Sequence, residues 1–397
     1  MSEARIDSLS NENNTGGPTL SGITTFSGTN YFVPPVGTTA ERPDNPQNGS
    51  IRFNTDSKHL EYYKGDTIGW VEIEASNNDL GGLTNSAQGR GTRGLFPGGH
   101  IAGSPQNPAF NNVDAITIET LGNTMDFNNL TGSFTGQMTI GNSIRCVVAG
   151  GRSGHEGGST TNEIQYCHFA STGDYVDSGG NLTAGKAYGA GFATETRGLF
   201  ACNSLPYNKQ IEYVTISSLG DAIDFGDVHT NKGYVYGLSS TTRGIIAGGV
   251  YCCPGVSYNH IEYVTIASTG DAVDFGDILT TRYEGGVAAS ATRGVIMAGY
   301  GPNYTNIIEY LTMATKGNTT DFGDLTNLNA TSKYSACSVT RGVVGGGYVA
   351  PGTPYSNVLE YIQIATTGNS ADFGDFINFG RRSGAGHGGI SNAHGGL

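Results

Sequence analysis

Cations are scarce in this chain. Lys and Arg number 21 against 34 Asp and Glu, for a formal net charge of −13. Gripping a nucleic-acid backbone takes clustered Lys and Arg, and Arg381-Arg382 is the sole basic doublet. No nucleic-acid partner is expected. Charge of either sign is thin, at 14% of residues. No apolar run is long enough to cross a bilayer, so no membrane partner is expected either. Met1 is followed by the polar Ser2-Glu3-Ala4-Arg5 and not by the apolar core of a signal peptide. That predicts reduced thiols in a protein made in a cytosol. The cysteines (Cys146, Cys167, Cys202, Cys252, Cys253, Cys337) form no C-x-x-C pair, and no histidine stands at ligand spacing beside Cys252-Cys253.

Catalytic signatures are missing as well. The eight histidines form no H-E-x-x-H. There is no nucleophile elbow, no P-loop, and no G-x-G-x-x-G between a strand and a helix. The triplets Asp221, Asp224, Asp227 and Asp271, Asp274, Asp277 are oxygen-rich enough to suggest Ca²⁺. On a strand, however, that spacing alternates faces, so a turn-and-edge role is the better reading. No catalytic residue, cofactor or metal site is expected.

What the chain has is glycine, 63 of its 397 residues, and repetition. An arginine preceding an apolar run recurs at Arg93, Arg145, Arg197, Arg243, Arg293 and Arg341, with gaps of 52, 52, 46, 50 and 48 residues. One unit reads as a small-residue strand (284–291), the turn Thr292-Arg293, an apolar strand to Gly299, and a variable loop. A period-two strand, Ile308-Glu309-Tyr310-Leu311-Thr312-Met313, follows, and Asp321-Phe322-Gly323-Asp324 closes the unit. Four strands in about 50 residues match a propeller blade, and no helical period is visible. The Glu-Tyr step holds at Glu212, Glu262, Glu309 and Glu360, but becomes Gln165 in the second copy and Asp114 in the first. The repeated arginines are read as structural, either ion-paired to a repeated carboxylate or anchoring a turn. Residues 384–393 look like the first strand of another copy, and residues 85–90 like a weak version of it. The C-terminal strand is therefore expected to complete the first blade, giving six blades, with seven as the competing count.

The Gly-Gly ending of the apolar strand (Gly98-Gly99, Gly150-Gly151, Gly248-Gly249, Gly346-Gly347), the Tyr one strand later and the aromatic at the blade edge resemble the kelch motif. Phe stands where kelch carries Trp. This likeness covers about residues 80–397 and implies an all-β fold: a kelch-like β-propeller preceded by a small N-terminal β-meander. Residues 1–37 read as an extended attachment segment and residues 38–79 as the meander, with strands at 51–54, 60–63 and 70–73. The wording of that stretch (Arg42-Pro43, Ile51-Arg52-Phe53-Asn54, Leu60-Glu61-Tyr62-Tyr63, Trp70) is similar to a module of tailed-phage virion proteins. The first residues, Arg5-Ile6-Asp7-Ser8-Leu9-Ser10, resemble the start of cyanophage fibre-like proteins.

The resemblance implies a non-enzymatic virion structural protein, a tail or head fibre or decoration protein. It would be anchored to other virion proteins through residues 1–79 and would display the propeller to a host-surface glycan or protein. A meander too small to stand alone and the likeness to fibres imply a homotrimer. A propeller depolymerase and an intracellular kelch adaptor are the alternatives. The candidate binding surface is the set of variable loops (97–111, 152–161, 203–209, 250–259, 300–305, 348–356). Their tyrosines are Tyr251, Tyr258, Tyr300, Tyr304, Tyr348 and Tyr355.

Overall fold

In the computed structural model, residues 34–57, 59–73, 93–101, 109–153, 158–204, 206–251, 255–326, 330–331, 333–349, 355–377, 381–382 and 390–391 are described. The readings placed on residues 1–33 and 85–90 and on Cys252-Cys253 fall outside them. The chain divides into two compact units, Met1–Ser76 and Asn77–Leu397. Both are built of β-strands, and helix among the described residues is limited to one 3-10 turn, Thr39–Glu41.

The first unit is a four-stranded sheet in chain order: β1 (Val36–Gly37), β2 (Ile51–Asn54), β3 (His59–Tyr63) and β4 (Trp70–Ile73). Strands β2 to β4 form the expected antiparallel meander, and β1 adds a parallel edge beside β2. Glu61 on β3 is fully buried. Arg42 meets it at 2.5 Å, Arg52 at 3.4 Å, and the Asn54 amide donates to it at 3.2 Å. Tyr63 packs on Trp70 with ring centroids 5.5 Å apart, and Arg52 lies 5.9 Å over the Trp70 ring. The polar letters of the sequence motif are thus one buried ion cluster, which ties the lead-in at Arg42 to the meander.

Among the described residues, the second unit contains six four-stranded antiparallel sheets and three short two-stranded pairs. Sheet II runs Met138–Gly141, Arg145–Ala149, Glu163–His168, Val176–Asn181. Sheet III runs Ala190–Ala193, Arg197–Ser204, Tyr207–Thr215, Ile223–Lys232, and sheet IV runs Tyr236–Ser239, Arg243–Ala247, His260–Thr265, Val273–Asp277. Sheet V is Gly286–Ala289, Arg293–Tyr300, Tyr304–Thr312, Thr320–Asp324, and sheet VI is Tyr334–Cys337, Arg341–Gly345, Val358–Gln363, Ala371–Asp375. Sheet I takes its first strand from the far end of the chain. Ile390–Ser391 pairs with Leu95 and Gly94 of Arg93–Pro97, and Phe110–Thr117 and Met125–Phe134 follow.

Apolar packing lies between sheets. Each of six core clusters draws from two neighbours. Ile164 of sheet II and Phe200 of sheet III share one, and Phe96 and Ile116 of sheet I share another with Tyr334 and Phe373 of sheet VI. The first strands of successive sheets also touch, and Ile390–Ser391 contacts those of both sheet VI and sheet II. They can approach because their residues are small. The Ser239 hydroxyl donates to the Ala193 carbonyl at 2.8 Å, and a Cβ on Gly191 would come within 2.2 Å of the Thr139 carbonyl oxygen.

Three relays repeat from sheet to sheet. At the outer turn, a side-chain oxygen accepts a backbone N–H from the preceding sheet. Asp271 accepts from Asp227, Asn318 from Asp277, Asn369 from Asp324, and Asn123 of sheet I from Asp375 of sheet VI, each at 3.0 Å. This is where Asp271 is used, and no cluster of three metal-ligating side chains occurs among the described residues.

In the second relay, the buried acid of the Glu-Tyr step accepts a backbone N–H from the end of the preceding sheet: Thr183 to Glu212 (2.9 Å), His229 to Glu262 (2.7 Å), Leu279 to Glu309 (3.0 Å) and Thr326 to Glu360 (2.9 Å). Gln165 does the same for Thr131 at 2.9 Å with an amide oxygen. Asp114 is one methylene shorter, and Thr124 bridges the gap. Ile377 N–H donates to the Thr124 hydroxyl at 3.1 Å, which donates to Asp114 at 3.2 Å. The departures from Glu thus preserve one function.

The repeated arginine makes the third relay, and of its two expected roles it takes that of a turn anchor and not of an ion pair. Each guanidinium lies 4.4–4.9 Å over an aromatic ring of its own sheet: Phe127, Tyr166, Tyr213, Tyr263, Tyr310 and Tyr361. It then donates to a carbonyl in the next sheet. Arg93 reaches Phe169, Arg145 Ile216, Arg197 Ile266, Arg243 Met313, Arg293 Ile364, and Arg341 returns to Ile118. The repeated Glu pairs with other cations: Lys186 with Glu212, Lys232 with Glu262 at 2.5 Å, and Arg282 with Glu309 at 2.9 Å. Period-two geometry explains this, since arginine and tyrosine share a face and the glutamate just before the tyrosine points to the other.

Candidate functional site

Antiparallel sheets place their 1–2 and 3–4 turns at one end and their 2–3 connections, with the sheet-to-sheet crossings, at the other. The arginines mark the first end, and the variable segments sit at the second. Two of those segments are not loops. In sheet III the second and third strands remain paired out to Ser204 and Tyr207, and in sheet V out to Tyr300 and Tyr304. A bulge makes this possible. The first member of the Gly-Gly step is left-handed (Gly98 φ 57°, Gly150 φ 65°), and Cys202 (60°) and Ala298 (59°) take the same conformation in sheets III and V.

Four of the six candidate tyrosines come together. Tyr300 and Tyr304 have centroids 4.8 Å apart, Tyr304 and Tyr348 6.2 Å, and Tyr348 and Tyr355 6.1 Å. The chain extends at both ends through residues that are not apparent as site residues from the sequence. Tyr355 meets His100, which lies between the second and third strands of sheet I, at 5.4 Å. On the other side Tyr300 meets Tyr283 (5.5 Å), Tyr283 meets Tyr234 (6.1 Å), and Tyr234 stacks on Tyr188 at 5.0 Å and 20°. Tyr251 packs instead on Tyr207 (5.4 Å), and Tyr258 on His260 (6.1 Å). Tyr188, Tyr355 and His100 are buried, and the rest of the chain is half-buried. The missed tyrosines stand just before first strands and not in variable segments, whereas His100 lies in the segment 97–111. Aligning the repeats on Gly136 would have revealed Tyr188 and Tyr234.

The opposite end differs in chemistry. There Met125, Val176, Ile223 and Val273 open the outer strands at 48–57% exposure. A depression of about 710 Å³ is lined by residues 194–197, Thr241 and residues 266–267. Its counterpart between sheets V and VI uses residues 290–293, Val339 and Ala365, so it recurs with the repeat.

Buried ionisable groups lie inside the sheets. Burial pushes the Lys333 amine down to about 8, against the pull of Glu360. It pushes the Cys202 thiol up to about 12. Cys146 and Cys167 face each other in register, and the Tyr175 hydroxyl donates to Cys146 Sγ at 2.9 Å. Burial raises the Cys146 thiol well above its ordinary range. These groups are enclosed by packing and carry no open site. No protein-family model matches the chain, and no curated protein is similar to it.

Proposed function

We propose that the six sheets are the blades of a closed kelch-like propeller, and that the protein is a non-enzymatic virion structural component of a tailed phage. It would be anchored through about its first 79 residues and would present the tyrosine end to the host surface. Six blades, not seven, fit the return of all three relays from sheet VI to sheet I: Arg341 to Ile118, Asp375 to Asn123, and Ile377 through Thr124 to Asp114. The phage-like module gains support from Arg42, Arg52, Asn54 and Glu61, the motif's polar letters, because they form one buried cluster.

The observation that carries the attachment reading is a break in symmetry. Contacts that build the fold recur in every sheet, whereas the linked tyrosines are confined to one end and lie mainly on sheets III to VI. Recognition surfaces are where a repeat protein departs from its repeat. A depolymerase would need two carboxylates flanking a cleft. The described first strands, which face one another, carry none, and the buried Glu212, Glu262 and Glu309 each sit against a cation. A homotrimer is part of the proposal.

Mass spectrometry and reconstruction of purified particles test the assignment. The protein should appear as a stoichiometric virion component, with a solution mass three times the 41.3 kDa chain. Its absence from particles would favour the kelch-adaptor reading. New reducing ends released from a surface polysaccharide would favour the enzyme.

A further inference from the structure

One feature of the tyrosine end is not required by the fold. Gly136, Tyr188, Tyr234 and Glu284 occupy one repeat position, two residues before the first strand, with φ of 69°, 64°, 56° and 61°. A ladder of backbone bonds holds them there. Tyr188 N–H donates to Gly136 O at 2.7 Å, Tyr234 N–H to Tyr188 O at 2.8 Å, and Glu284 N–H to Tyr234 O at 3.3 Å. The ladder explains the left-handed backbone, and glycine meets it without strain, as sheet II does. A bulky aromatic in that region is strained. Two successive sheets nevertheless place tyrosine there: Tyr188 fills a small buried cluster with Ala187, and the half-buried Tyr234 ring lies over it with part of its surface open.

The rings form a staircase. Tyr188 packs against Gly136, where a Cβ would come within 2.5 Å of the ring. Tyr234 lies almost parallel on Tyr188, and Tyr283, Tyr300, Tyr304 and Tyr348 carry the series onward with neighbouring centroids 4.8–6.2 Å apart. One buried ring, Tyr188, at one end and half-buried rings along the rest give a rigid aromatic strip, with hydroxyls and the half-buried Glu284 beside it.

Two observations select the occupant. Net charge of −13 opposes a polyanionic glycan. Most of the second unit's exposed aliphatic side chains, which suit a protein partner, lie at the opposite end (Leu121, Met125, Ile144, Val176, Ile223, Val273 and Val339), against Val256, Leu279 and Ile377 at the tyrosine end. We infer that the strip from Tyr234 to Tyr348, seated on the buried Tyr188 ring, is a platform for an uncharged polysaccharide. Successive sugar rings would stack on tyrosine faces, and tyrosine hydroxyls and Glu284 would meet the sugar hydroxyls. This rests on the attachment reading and adds the ligand class and the residues.

Affinity electrophoresis and calorimetry of the full chain test it. The probes are dextran, mannan and galactomannan, with dextran sulfate as the anionic comparison. At least one neutral polymer should retard the wild type. Tyr234→Gly and Tyr304→Ala should each weaken that binding roughly tenfold or more. Val273→Ser, at the other end, should not. Tyr234→Gly removes strain along with the ring, so its Tm should stay within about 2 °C of wild type. If it misfolds, Tyr304→Ala at a hairpin tip carries the test. Retardation by dextran sulfate alone, by no polymer, or equally in the tyrosine variants overturns the inference. So does adsorption to cells that survives periodate oxidation of surface sugars, which would indicate a protein receptor. A protein present in particles and adsorbing to cells, yet indifferent to neutral polymers, sinks only this inference; absence from particles sinks the attachment reading beneath it.

Discussion

Arg341 donates to the backbone carbonyl of Ile118 at 2.9 Å although 223 residues separate them, and its guanidinium lies 4.6 Å above the Tyr361 ring. The contact joins the last sheet to the first in the manner that joins every other neighbouring pair. Arg341→Ala should therefore lower stability by about 2–4 kcal/mol, the sum expected for a half-buried cation–π contact and one charged hydrogen bond. Arg341→Lys should recover little of it, because an ammonium lacks the planar face. Urea titration of both variants checks the ordering, and equal stability of the two would remove the stacking account.

Glu262 is 4% exposed and serves two partners, Lys232 and the His229 backbone N–H. Glu262→Leu should cost about 3–5 kcal/mol, because a buried ammonium loses its counter-charge. Glu262→Gln combined with Lys232→Gln should cost less than either single change. Sheet II already folds with Gln165 accepting the backbone N–H without a charge. Thermal unfolding of the four proteins measures the coupling.

Lys333 gives stability a particular pH slope. Its amine sits at about 8 when folded and 10.5 when free, so between those values the unfolded chain binds more protons. Stability from this group therefore rises as pH climbs from about 8 to 10.5. Cys202, raised to about 12, acts oppositely above pH 9. The clear comparison is wild type against Lys333→Gln between pH 7.5 and 9. The wild type should gain on the variant as pH rises, and parallel curves would refute the assignment.

In the N-terminal unit, the Glu61 carboxyl is held below the usual range chiefly by the hydrogen bond from Arg42. Its contribution is complete above the ordinary carboxylate pKa and fades as pH falls through the lowered one. Glu61→Gln should loosen the meander by about 2–3 kcal/mol at neutral pH and abolish that acid sensitivity. Tryptophan fluorescence reads this directly, because Trp70 is the chain's sole tryptophan.

Much of the second unit was legible because each strand repeats its own pattern. Arg293, Tyr310 and Phe322 stand at positions that recur; the arginine stacks on an aromatic ring in all six sheets, with Phe127 taking the place of the tyrosine in sheet I. What stayed hidden lies where the copies disagree. The cation facing the buried glutamate comes from Lys186, Lys232 or Arg282 in three sheets. In sheet VI it is Lys333, three places nearer its strand, so no fixed spacing reveals it. Segments around Tyr300 and Tyr304 read as loops because a glycine-rich step normally ends a strand. A left-handed Ala298 lets the ladder resume beyond it. Tyr188 and Tyr234 escaped notice because a tyrosine beside a strand looks like core until its backbone conformation is known.

Sheet I owes its first strand to two residues, Ile390 and Ser391, drawn from the last few of the chain. Loss of the chain from Ile390 onward would strip that strand away and leave one edge of Arg93–Pro97 bare, with donors and acceptors open to any passing strand. Damage at the C-terminus would then show up as chains threading into one another and forming higher-mass species, before any loss of secondary structure.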